Sequence, residues 1–480
     1  MQQDQFEVKF PLKDFLPPRN SAKRIVEPSR EIPVLTECDV AVLGGGPAGV
    51  CAAAAAARAG RSVVLVERHG FLGGMATAGW VTTIHTLYGT DRKTKVIGGL
   101  AEEFVRRLQR RGAVRNREKD GQTGDWTICC ETARFVCDDM VIGSGARLLL
   151  HTALVAVLRD GRRIRAAIVE GKSGRQAVLA NVFIDCTGDA DLARRAGLTT
   201  QVGDAQGKCQ GPTLVFRVGG KARGAMPLWE VQRELYKTPM DYNGELYPCF
   251  LWGAEGVWNR SEQMMAGTRV LNVNAADSFD FTRAEVEARY QLRWVLDRLK
   301  TMPGWEHAYL LSMAAQIGVR ETHRIVAHHQ LTREELLTGK PFEDAIAQGT
   351  YPVDIHEGDK PGITFEHLDG RARHFGGDMS VKVSRWDGQP EGAAPRDTLC
   401  WQVPYRSLVP RDMDNVLSAG RCIGADCAAA GAIRVMINCM QFGQAAGQAA
   451  AMTGPGGSVR GVDVRSLQNA LIDAGMPLRV

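Results

Sequence analysis

Residues 39–67 constrain the fold of this chain more than any other stretch, because they contain every part of a dinucleotide-binding βαβ unit in order. An apolar strand runs into a glycine turn, an alanine-rich helix follows, and a second apolar strand ends on Glu67. Gly44 permits the tight turn, Gly46 lets the backbone approach a pyrophosphate, and Gly49 lets the helix pack closely on the strand. The helix then directs its positive end at the phosphates, and Glu67 accepts hydrogen bonds from the adenosine ribose. The sequence therefore predicts a bound adenine dinucleotide.

The length and composition are typical of a large soluble protein. With 480 residues, 44% of them hydrophobic, the chain can bury a sizeable core and is expected to form two or three domains. Its first thirty residues are charged and contain prolines, without the apolar segment that a secretory signal needs. No uncharged stretch reaches membrane-spanning length. We therefore expect a cytoplasmic protein with no membrane partner.

Cysteine and histidine spacings argue against a metal centre. The twelve cysteines include no C-x-x-C pair, so they predict neither a zinc ribbon nor an iron–sulfur cluster, and most are expected to be reduced thiols. His323 and His328 are five residues apart, a spacing that does not place them on one helical face. The sequence predicts no metal site.

The charge pattern gives little support to nucleic-acid binding. The net charge of +5 is small for this length and favours at most a mild preference for anionic substrates. The densest basic run begins at Arg106, but Glu102 and Glu103 stand four residues before Arg106 and Arg107, which is the pairing of a solvated helix face. The run has no interleaved aromatic residues on which bases could stack. We expect a small-molecule substrate and no nucleic-acid partner.

Changes of composition and the strand patterns along the chain predict an α/β protein built from separate regions. Short strand patterns between residues 147 and 179 predict a small antiparallel sheet inserted into a nucleotide domain, and residues 182–185 return to its parallel sheet. The predicted regions are a polar arm at 1–35 that lies on the surface or reaches a neighbouring subunit of a homo-oligomer, the first part of the nucleotide domain at 36–200, an α+β substrate domain at 201–395, and the closing part of the nucleotide domain with a C-terminal helix at 396–480.

Several stretches together resemble the FAD-dependent oxidoreductases with two dinucleotide-binding motifs and a glutathione-reductase-like fold. More closely, the chain resembles the FAD-dependent oxidoreductase family related to fumarate reductase flavoproteins. The likeness spans about residues 36–475 and is carried by residues 44–67, 73–75, 185–189, 317–325, 351–356, 403–406 and 415–421. It implies a Rossmann-like FAD-binding domain, with the ADP half of FAD on the first βαβ unit.

The resemblance also implies a set of cofactor-binding residues. A helix starting near Ala432 would aim unpaired N–H groups and a positive dipole at the N1 and O2 edge of the flavin. Val155 would contact adenine through its backbone. The residues implied to contact FAD are Gly44, Gly46, Pro47, Ala48, Gly49, Glu67 and Arg68 around the ADP half, Gly73, Gly74 and Met75 along the ribityl chain and flavin, Val155, Thr187 and Gly188 along the nucleotide, Gly420 and Arg421 near the ribityl chain, and Ala432 and Ile433 at the helix.

Three positions depart from related flavoproteins. Arg421 stands where a ribityl-binding aspartate is usual, so the contact there is expected through the backbone. Cys427 stands where relatives often have histidine, which removes an acid–base role from this position. Cys422 and Cys427 have the spacing of a flavin disulfide pair, but they precede the last helix instead of following the first βαβ unit. Two buried thiols are therefore favoured.

Four residues are candidates for the chemistry of a flavin enzyme, which must bind substrate and accept a proton. Arg320 can anchor a carboxylate or form a structural ion pair. His356 follows Asp354, whose carboxylate can orient the imidazole as a base, although a surface loop histidine fits the pattern equally. Tyr405 can face the flavin or pack in the core. Arg434, at the start of the predicted flavin-facing helix, can stabilise the N1 position or a bound anion.

These features predict an FAD-dependent dehydrogenase or oxidase that moves a hydride from a small organic substrate, carrying a carboxylate or hydroxyl, to flavin N5. The electron acceptor that reoxidises the flavin stays open. Two alternatives are a nicotinamide (NAD) dehydrogenase, which leaves the glycine-rich C-terminal region unexplained, and a flavoprotein that modifies RNA, which the modest net charge disfavours.

Overall fold

A computed structural model describes residues 15–19, 23–117, 124–237, 251–377 and 379–479 of the protein. Of the arm predicted at 1–35, residues 1–14 and 20–22 lie outside the described part, and residues 23–33 form neither helix nor strand. None of the helices in the described ranges has the length and apolar character needed to cross a membrane.

The N-terminal region alternates strands and helices, as the sequence predicts for a nucleotide-binding domain. Its elements are β1 (Val34–Leu43), α1 (Pro47–Arg58), β2 (Val63–Val66), β3 (Thr83–Ile84), α2 (Gly99–Arg110), β4 (Val114–Asn116), β5 (Trp126–Ile128), α3 (Cys130–Ile142), β6 (Arg147–Leu149), β7 (Ala153–Asp160), β8 (Arg163–Gly171), β9 (Gly174–Asp185) and α4 (Asp191–Arg195). A 3₁₀ turn, Gly74–Ala76, follows β2.

The middle region is mostly antiparallel. Its elements are β10 (Thr200–Val202), β11 (Val215–Gly219), α5 (Leu228–Lys237), β12 (Trp252–Glu255), β13 (Gln263–Ala266), α6 (Ser278–Leu299), β14 (Tyr309–Met313), β15 (His323–Ile325), α7 (Arg333–Thr338), β16 (Ala345–Gly349), β17 (Val353–His356), β18 (Gly362–Glu366), β19 (Arg371–Gly376) and β20 (Val381–Arg385). The C-terminal region adds β21 (Trp401–Pro404), β22 (Val416–Ser418), α8 (Cys427–Ile433), α9 (Met436–Met452) and α10 (Val464–Asp473).

A seven-stranded sheet organises the nucleotide domain, with the order β6-β2-β1-β9-β8-β7 and with β22 also beside β9. Strands β6, β2, β1, β9 and β22 run parallel, whereas β7, β8 and the first half of β9 form an antiparallel meander. Separate strands were expected at 177–179 and 182–185, but both belong to the single strand β9. The predicted inserted sheet is therefore continuous with the parallel sheet.

The substrate region contains two four-stranded antiparallel sheets. One has the order β12-β13-β11-β14 and packs its apolar side chains against α5 and α6. The other is the meander β17-β18-β19-β20. The long helix predicted at residues 282–300 is α6, which begins earlier because Asp277 caps it by accepting from the N–H groups of Phe279 and Asp280. Both sheets contribute residues to the lining of the larger cavity described below.

The helix predicted near Gly431 is wrong, because two helices occupy this region. Asp426 caps α8 by accepting from the Ala429 N–H group, so the helix already begins at Cys427, and it ends with Arg434 as its C-cap. A second helix, α9, then starts at Met436. The C-terminal helix predicted at 463–474 is confirmed as α10, with Asp463 as its N-cap. Arg434 therefore lies at the negative end of α8, where a cation is favourable.

Helix α9 packs against α1 with their backbones in close contact, because two glycines face the earlier helix. A β-carbon placed on Gly443 would lie 2.0 Å from the carbonyl oxygen of Ala48, and one placed on Gly447 would lie 2.3 Å from the carbonyl oxygen of Ala52. Such distances are far inside van der Waals contact, so neither position accepts a side chain without separating the helices. This contact joins the two ends of the nucleotide domain.

We expect the substitution Gly443→Ala to lower the free energy of unfolding by about 1–3 kcal/mol, because the added methyl group must push α9 away from α1. Urea unfolding followed by circular dichroism measures this change. Gly454→Ala is the matched control, since a β-carbon there meets no atom within 4 Å, and it should change the stability by less than about 0.5 kcal/mol. Equal stability of the two variants would contradict the packing argument.

Candidate dinucleotide and substrate site

A groove opens where the parallel strands β1, β2 and β9 reach their carboxyl ends, the usual ligand position in open α/β sheets. It encloses about 680 Å³ of empty space. The residues that line it are Gly44, Gly46, Pro47, Ala48, Glu67, Arg68, His69, Gly74, Met75, Ala78, Cys186, Thr187, Gly188, Gln316, Gly420, Arg421, Arg434, Met436 and Cys439. The structure thus brings most of the predicted cofactor-binding residues together.

The three glycines of the first turn have different surroundings. Gly44 has a φ of +101°, and a β-carbon on Gly49 would lie 1.8 Å from the Gly44 carbonyl oxygen, so protein geometry alone requires glycine at both positions. Gly46 has an ordinary φ of −70°, and a β-carbon there would come no closer than 3.9 Å to another residue. Helix α1 also begins without a side-chain cap. The space beside Gly46 and the uncapped helix fit a pyrophosphate.

Glu67 lies buried at the end of β2. Its two carboxylate oxygens accept hydrogen bonds from the backbone N–H groups of Gly45, at 2.6 Å, and His69, at 2.7 Å. A carboxylate has about four acceptor positions, so both oxygens can also accept from ribose hydroxyls. Arg68 lines the same groove and donates to Gln316 Oε1 at 3.2 Å. The residues present therefore fit the ADP half of the predicted cofactor.

The loop after β2 folds back onto this turn. Gly73 and Gly74 have φ values of +104° and +49°, and a β-carbon on Gly74 would lie 2.8 Å from the Gly46 Cα atom. Met75, the next residue, lines both the groove and the larger cavity beside it. The loop therefore covers the pyrophosphate space and continues to the boundary between the two cavities.

Thr187 and Gly188 form the opposite edge of the groove at the end of β9. The Thr187 hydroxyl donates to Asp185 Oδ1 at 2.7 Å. Asp185 is fully buried, and this burial raises the pKa of its carboxyl group to about 6. Gly188 has a φ of +78°, and its position leaves room for the guanidinium group of Arg421.

Arg421 contacts the site through its side chain, whereas the sequence led us to expect a backbone contact. Its Nη2 donates to Asp189 Oδ1 at 3.1 Å, and the side chain is 14% exposed. Its buried Nη1 has no hydrogen-bond partner among the described residues. An unpaired guanidinium N–H at the boundary of groove and cavity is a donor for a bound polar group.

The helix end that faces the cavities is the start of α9. No side chain caps α9, whose N-cap is Val435, and Met436 at its first position lines both cavities. The unpaired N–H groups and the positive end of this helix fit the electron-rich edge of a flavin. Ala432 and Ile433 were expected at this edge, but they are buried in the last turn of α8 and do not line either cavity, which corrects that prediction.

Val155 lies on β7, next to the chain segment that contacts Glu67. The Thr152 N–H group donates to the Glu67 carbonyl oxygen at 3.0 Å, three residues before Val155. The pairing between β7 and β8 shifts between Leu154 and Ala156, so Val155 is the extra residue of a β-bulge. Its backbone is outside the regular ladder, and the predicted contact with adenine stays a prediction.

A second cavity adjoins the groove and encloses about 1370 Å³ of empty space. The two share Met75, Arg421, Arg434 and Met436. The described residues that line the second cavity include five arginines and two carboxylates. They are Met75, Val81, Thr83, His85, Arg117, Asp125, Thr213, Val215, Trp252, Met264, Ala266, Arg269, Gly318, Val319, Arg320, Tyr351, Asp354, His356, Phe365, Arg421, Arg434, Val435 and Met436.

Asp354 is the centre of a buried polar cluster in this cavity. Its Oδ2 accepts from the Tyr351 hydroxyl at 2.9 Å and from Arg434 Nη2 at 2.6 Å, while its Oδ1 lies 3.0 Å from His356 Nε2. Burial alone would raise the pKa of this carboxyl group, but the cations of Arg434 and Arg320 and the adjacent N–H group of neutral His356 lower it below its usual range. Asp354 is therefore ionised at neutral pH.

His356 is buried on the same strand face as Asp354, and it is not a surface loop residue. Burial, followed by the positive charge of Arg320, lowers the pKa of His356 well below 6.5 despite the adjacent carboxylate. The close carboxylate favours the neutral tautomer with its proton on Nε2. Nδ1 is buried and has no partner among the described residues. Its lone pair is therefore available to accept a proton.

We expect His356 to make the folded protein less stable in acid. The unfolded chain binds a proton on this residue near pH 6.5, whereas the folded chain does not, so stability falls as pH decreases below 6.5, by about 1.4 kcal/mol per pH unit. The substitution His356→Gln should remove this contribution, so that its unfolding free energy falls less steeply between pH 6.5 and 5. Urea unfolding at several pH values measures both slopes, and parallel slopes would contradict a neutral His356.

Arg320 faces the cavity from the segment before β15. Its Nη1 donates to the Gly211 carbonyl oxygen at 2.6 Å and to Thr213 Oγ1 at 2.9 Å, so its hydrogen bonds in the described structure are to neutral oxygens. A structural ion pair of Arg320 with the neighbouring Glu321, one form of the alternative interpretation, is not present, because Glu321 pairs with Arg324 at 2.7 Å. Burial, followed by the charge of Arg269, lowers the pKa of Arg320, although an arginine stays protonated in proteins. This cation lacks a full counter-charge.

Tyr405 lies outside both cavities, which corrects the expectation that it faces the flavin. Its ring is buried in the main core, and its hydroxyl donates to the Val459 carbonyl oxygen at 2.7 Å. Core packing was the alternative interpretation. Cys422 and Cys427 are both free thiols in the structure, as the sequence favoured. Among the described residues, no group of three or more metal-ligating side chains is placed to hold an ion.

The sequence missed several residues of the larger cavity. Tyr351 was part of a recognised motif but had no assigned role. Arg269 and Trp252 had no signal at all, because they come from distant parts of the chain. The pairing of Asp354 with His356 had a usable signal, since residues two apart on a strand share a face.

Comparisons with known proteins give one strong match. A family model described as FAD dependent oxidoreductase matches residues 39–471. No match was found among curated proteins.

Solved structures show only distant likeness. A geranylgeranyl bacteriochlorophyll reductase-like protein from Thermoplasma acidophilum is 12% identical with a TM-score of 0.43, covering 91% of this chain and 82% of that one. A triple mutant of a flavin-dependent brominase is 13% identical with a TM-score of 0.43, covering 91% and 84%. The p-nitrophenol 4-monooxygenase from Pseudomonas putida is 12% identical with a TM-score of 0.39, covering 62% and 71%. Likenesses this distant carry no argument about the reaction.

Proposed function

Because the chain belongs to the family of FAD-dependent oxidoreductases, we propose that it oxidises a small organic acid at a carbon that bears a hydroxyl or amino group. Its cofactor is FAD, which supplies, when bound, the isoalloxazine ring that takes a hydride from this carbon. The larger cavity, which adjoins the nucleotide groove, holds the substrate. The product is the corresponding oxo or imino acid.

The observation that carries this proposal is the neutral, buried His356 in a cavity rich in arginine. Loss of a hydride from an alcohol or amine carbon requires that a base take the O–H or N–H proton, or the product stays charged. His356 Nδ1 has a free lone pair, and the pKa of this imidazole lies below neutral pH, so it is unprotonated before the reaction. An unprotonated base can accept the proton that the substrate loses when it is oxidised.

The remaining residues have supporting roles in this proposal. Arg320 binds the substrate carboxylate, with its orientation fixed by Gly211 and Thr213. When His356 accepts the proton on Nδ1, the Asp354 carboxylate stabilises the resulting imidazolium. The bonds from Tyr351 and Arg434 hold this carboxylate in place. Burial of the cluster keeps bulk water away from it.

Anaerobic bleaching of the purified yellow protein tests the proposal. A panel of 2-hydroxy acids and amino acids is compared with the methyl esters and amides of the same compounds, and the decrease in flavin absorbance is followed. We expect at least one free acid to bleach the flavin much faster than its ester. Bleaching by uncharged alcohols, sugars or amines with no response to any acid would overturn it.

We expect Arg320→Met to raise KM for the acid roughly 10- to 100-fold, because a hydrogen bond to a charged group contributes about 1.5–3 kcal/mol. Arg320→Lys keeps the charge but loses the planar fork, so it should recover part of the affinity. Steady-state kinetics on protein with equal FAD content measures both variants. A fall in kcat with KM unchanged would contradict the role in binding.

A further inference from the structure

One wall of the larger cavity is apolar and aromatic. Val215 on β11 pairs with Ala266 on β13, and Ala266 pairs in turn with Trp252 on β12, so these side chains form a row across three adjacent strands. Met264 stands two residues before Ala266 on the same strand face. All four residues line the cavity.

This wall begins next to the cation that binds the acid. Arg320 donates to Thr213, which stands two residues before Val215. Two residues of extended chain span about 7 Å, and each strand further across the sheet adds about 5 Å. The apolar row therefore extends away from Arg320 for more than the length of a two- or three-carbon acid.

The sheet that carries the base adds an aromatic residue to the cavity. Phe365 on β18 pairs directly with Asp354 on β17, so its ring lines the cavity next to the Asp354 and His356 side chains. Phe365 is held by an edge-to-face contact with Phe375, with ring centroids 5.9 Å apart. Phe365 and the Trp252 row therefore both offer apolar surface to a group bound in the cavity.

We propose that the substrate is an amphipathic acid, whose carboxylate binds Arg320 and whose bulky apolar group, the size of an aromatic ring or larger, packs on the wall of Val215, Ala266, Met264 and Trp252. This inference rests on the proposed function and narrows its substrate class. A short hydrophilic acid bound at Arg320 would leave the apolar wall in contact with water, and so would gain nothing from this surface.

Binding of three simple probes to the FAD-loaded protein tests the inference by calorimetry, without turnover. The probes are 3-phenylpropanoate, propanoate, which keeps the carboxylate but lacks the ring, and 3-phenylpropanamide, which keeps the ring but lacks the charge. We expect 3-phenylpropanoate to bind roughly 10- to 100-fold more tightly than either of the others.

Two substitutions test separately the contact with the apolar ring and the contact with the carboxylate. Trp252→Ala should weaken 3-phenylpropanoate about tenfold and leave propanoate unchanged, while Arg320→Met should weaken both acids and leave the amide unchanged. Trp229→Ala is the matched control, because this tryptophan is 61% exposed on α5 and does not line the cavity. It should bind all three probes like the unaltered protein.

The outcomes separate this inference from the proposed function. Propanoate binding as tightly as 3-phenylpropanoate, or no effect of Trp252→Ala, would overturn the amphipathic substrate, while bleaching by small hydroxy acids would still support the oxidation of an acid. The amide binding as tightly as the acid would overturn the carboxylate contact itself. Absence of binding by all three probes would also overturn the inference, and the bleaching panel would then decide the function alone.

Discussion

Replacing Gly46 with valine is expected to remove at least nine tenths of the bound FAD from the purified protein. No protein atom requires glycine here, since φ is −70° and a β-carbon would come no closer than 3.9 Å to another residue. We therefore expect the pyrophosphate to occupy the space beside Gly46, which a branched side chain would fill. The absorbance ratio of flavin to protein measures the loss.

A measurement of the unfolding temperature distinguishes a direct loss of FAD from misfolding of the variant. The Gly46→Val variant should unfold at about the same temperature as the unaltered protein stripped of FAD, because a β-carbon at this position comes no closer than 3.9 Å to another residue. Gly461→Ala is the control, since a β-carbon there meets no atom within 4 Å and lies outside the groove, and it should retain its FAD. A valine variant with a full complement of FAD would show that the pyrophosphate lies elsewhere.

Replacing His356 with glutamine is expected to lower kcat/KM for the acid that bleaches the flavin by about 10²–10⁴-fold, the usual contribution of a general base. The unaltered enzyme should keep its activity below pH 6.5, because the pKa of His356 is lowered by burial and Arg320, and the acidic limb of its pH profile should disappear in the variant. FAD content and binding of 3-phenylpropanoate should not change.

Asp354→Asn provides the matched test of positioning. It keeps the shape of the side chain but removes the negative charge beside Nε2, so a smaller loss than in His356→Gln is expected, with the acidic limb shifted. An unchanged rate in the glutamine variant would remove His356 from the mechanism and leave the proton to solvent.

The first βαβ unit was predictable because its signals are local. The order of strand, glycines, helix and Glu67 is contained in residues 39–67, and each glycine has a steric reason that sequence alone suggests. Helix α10 was predictable for the same reason, since Asp463 is an N-cap residue followed by an amphipathic pattern. Local sequence determines such elements, so they could be predicted without knowledge of tertiary contacts.

The start of the C-terminal helices and the position of Tyr405 could not be predicted from local sequence. Glycine at 431 suggested a helix start, but its cause is tertiary, because a β-carbon there would lie 2.5 Å from the Asp354 carbonyl oxygen. The true start signal was Asp426. Tyr405 could not be placed either, because its partner, Val459, is 54 residues away. Whether an apolar segment faces a cavity or the core depends on contacts that the sequence does not contain.

The residues of the candidate site also fall into two groups, those that local sequence predicts and those that depend on tertiary contacts. Arg320, Asp354 and His356 were reached through short motifs, whereas Trp252, Ala266 and Val215 form one wall only because three separate strands pair in register. Arg421 was noticed as a departure from related flavoproteins, but its direction into the site depends on the space left at Gly188. The chemistry was therefore easier to predict than the shape of the cavity.

The glycine contact between α1 and α9 also sets the timing of biosynthesis. Ala48 is translated long before Gly443, its partner in this contact. At about 5–20 residues per second, roughly 20 to 80 seconds separate them. During this interval the nascent chain has the glycine turn of the first βαβ unit without α9, whose first residue lines the groove, so we expect stable capture of the coenzyme only after α9 has been translated.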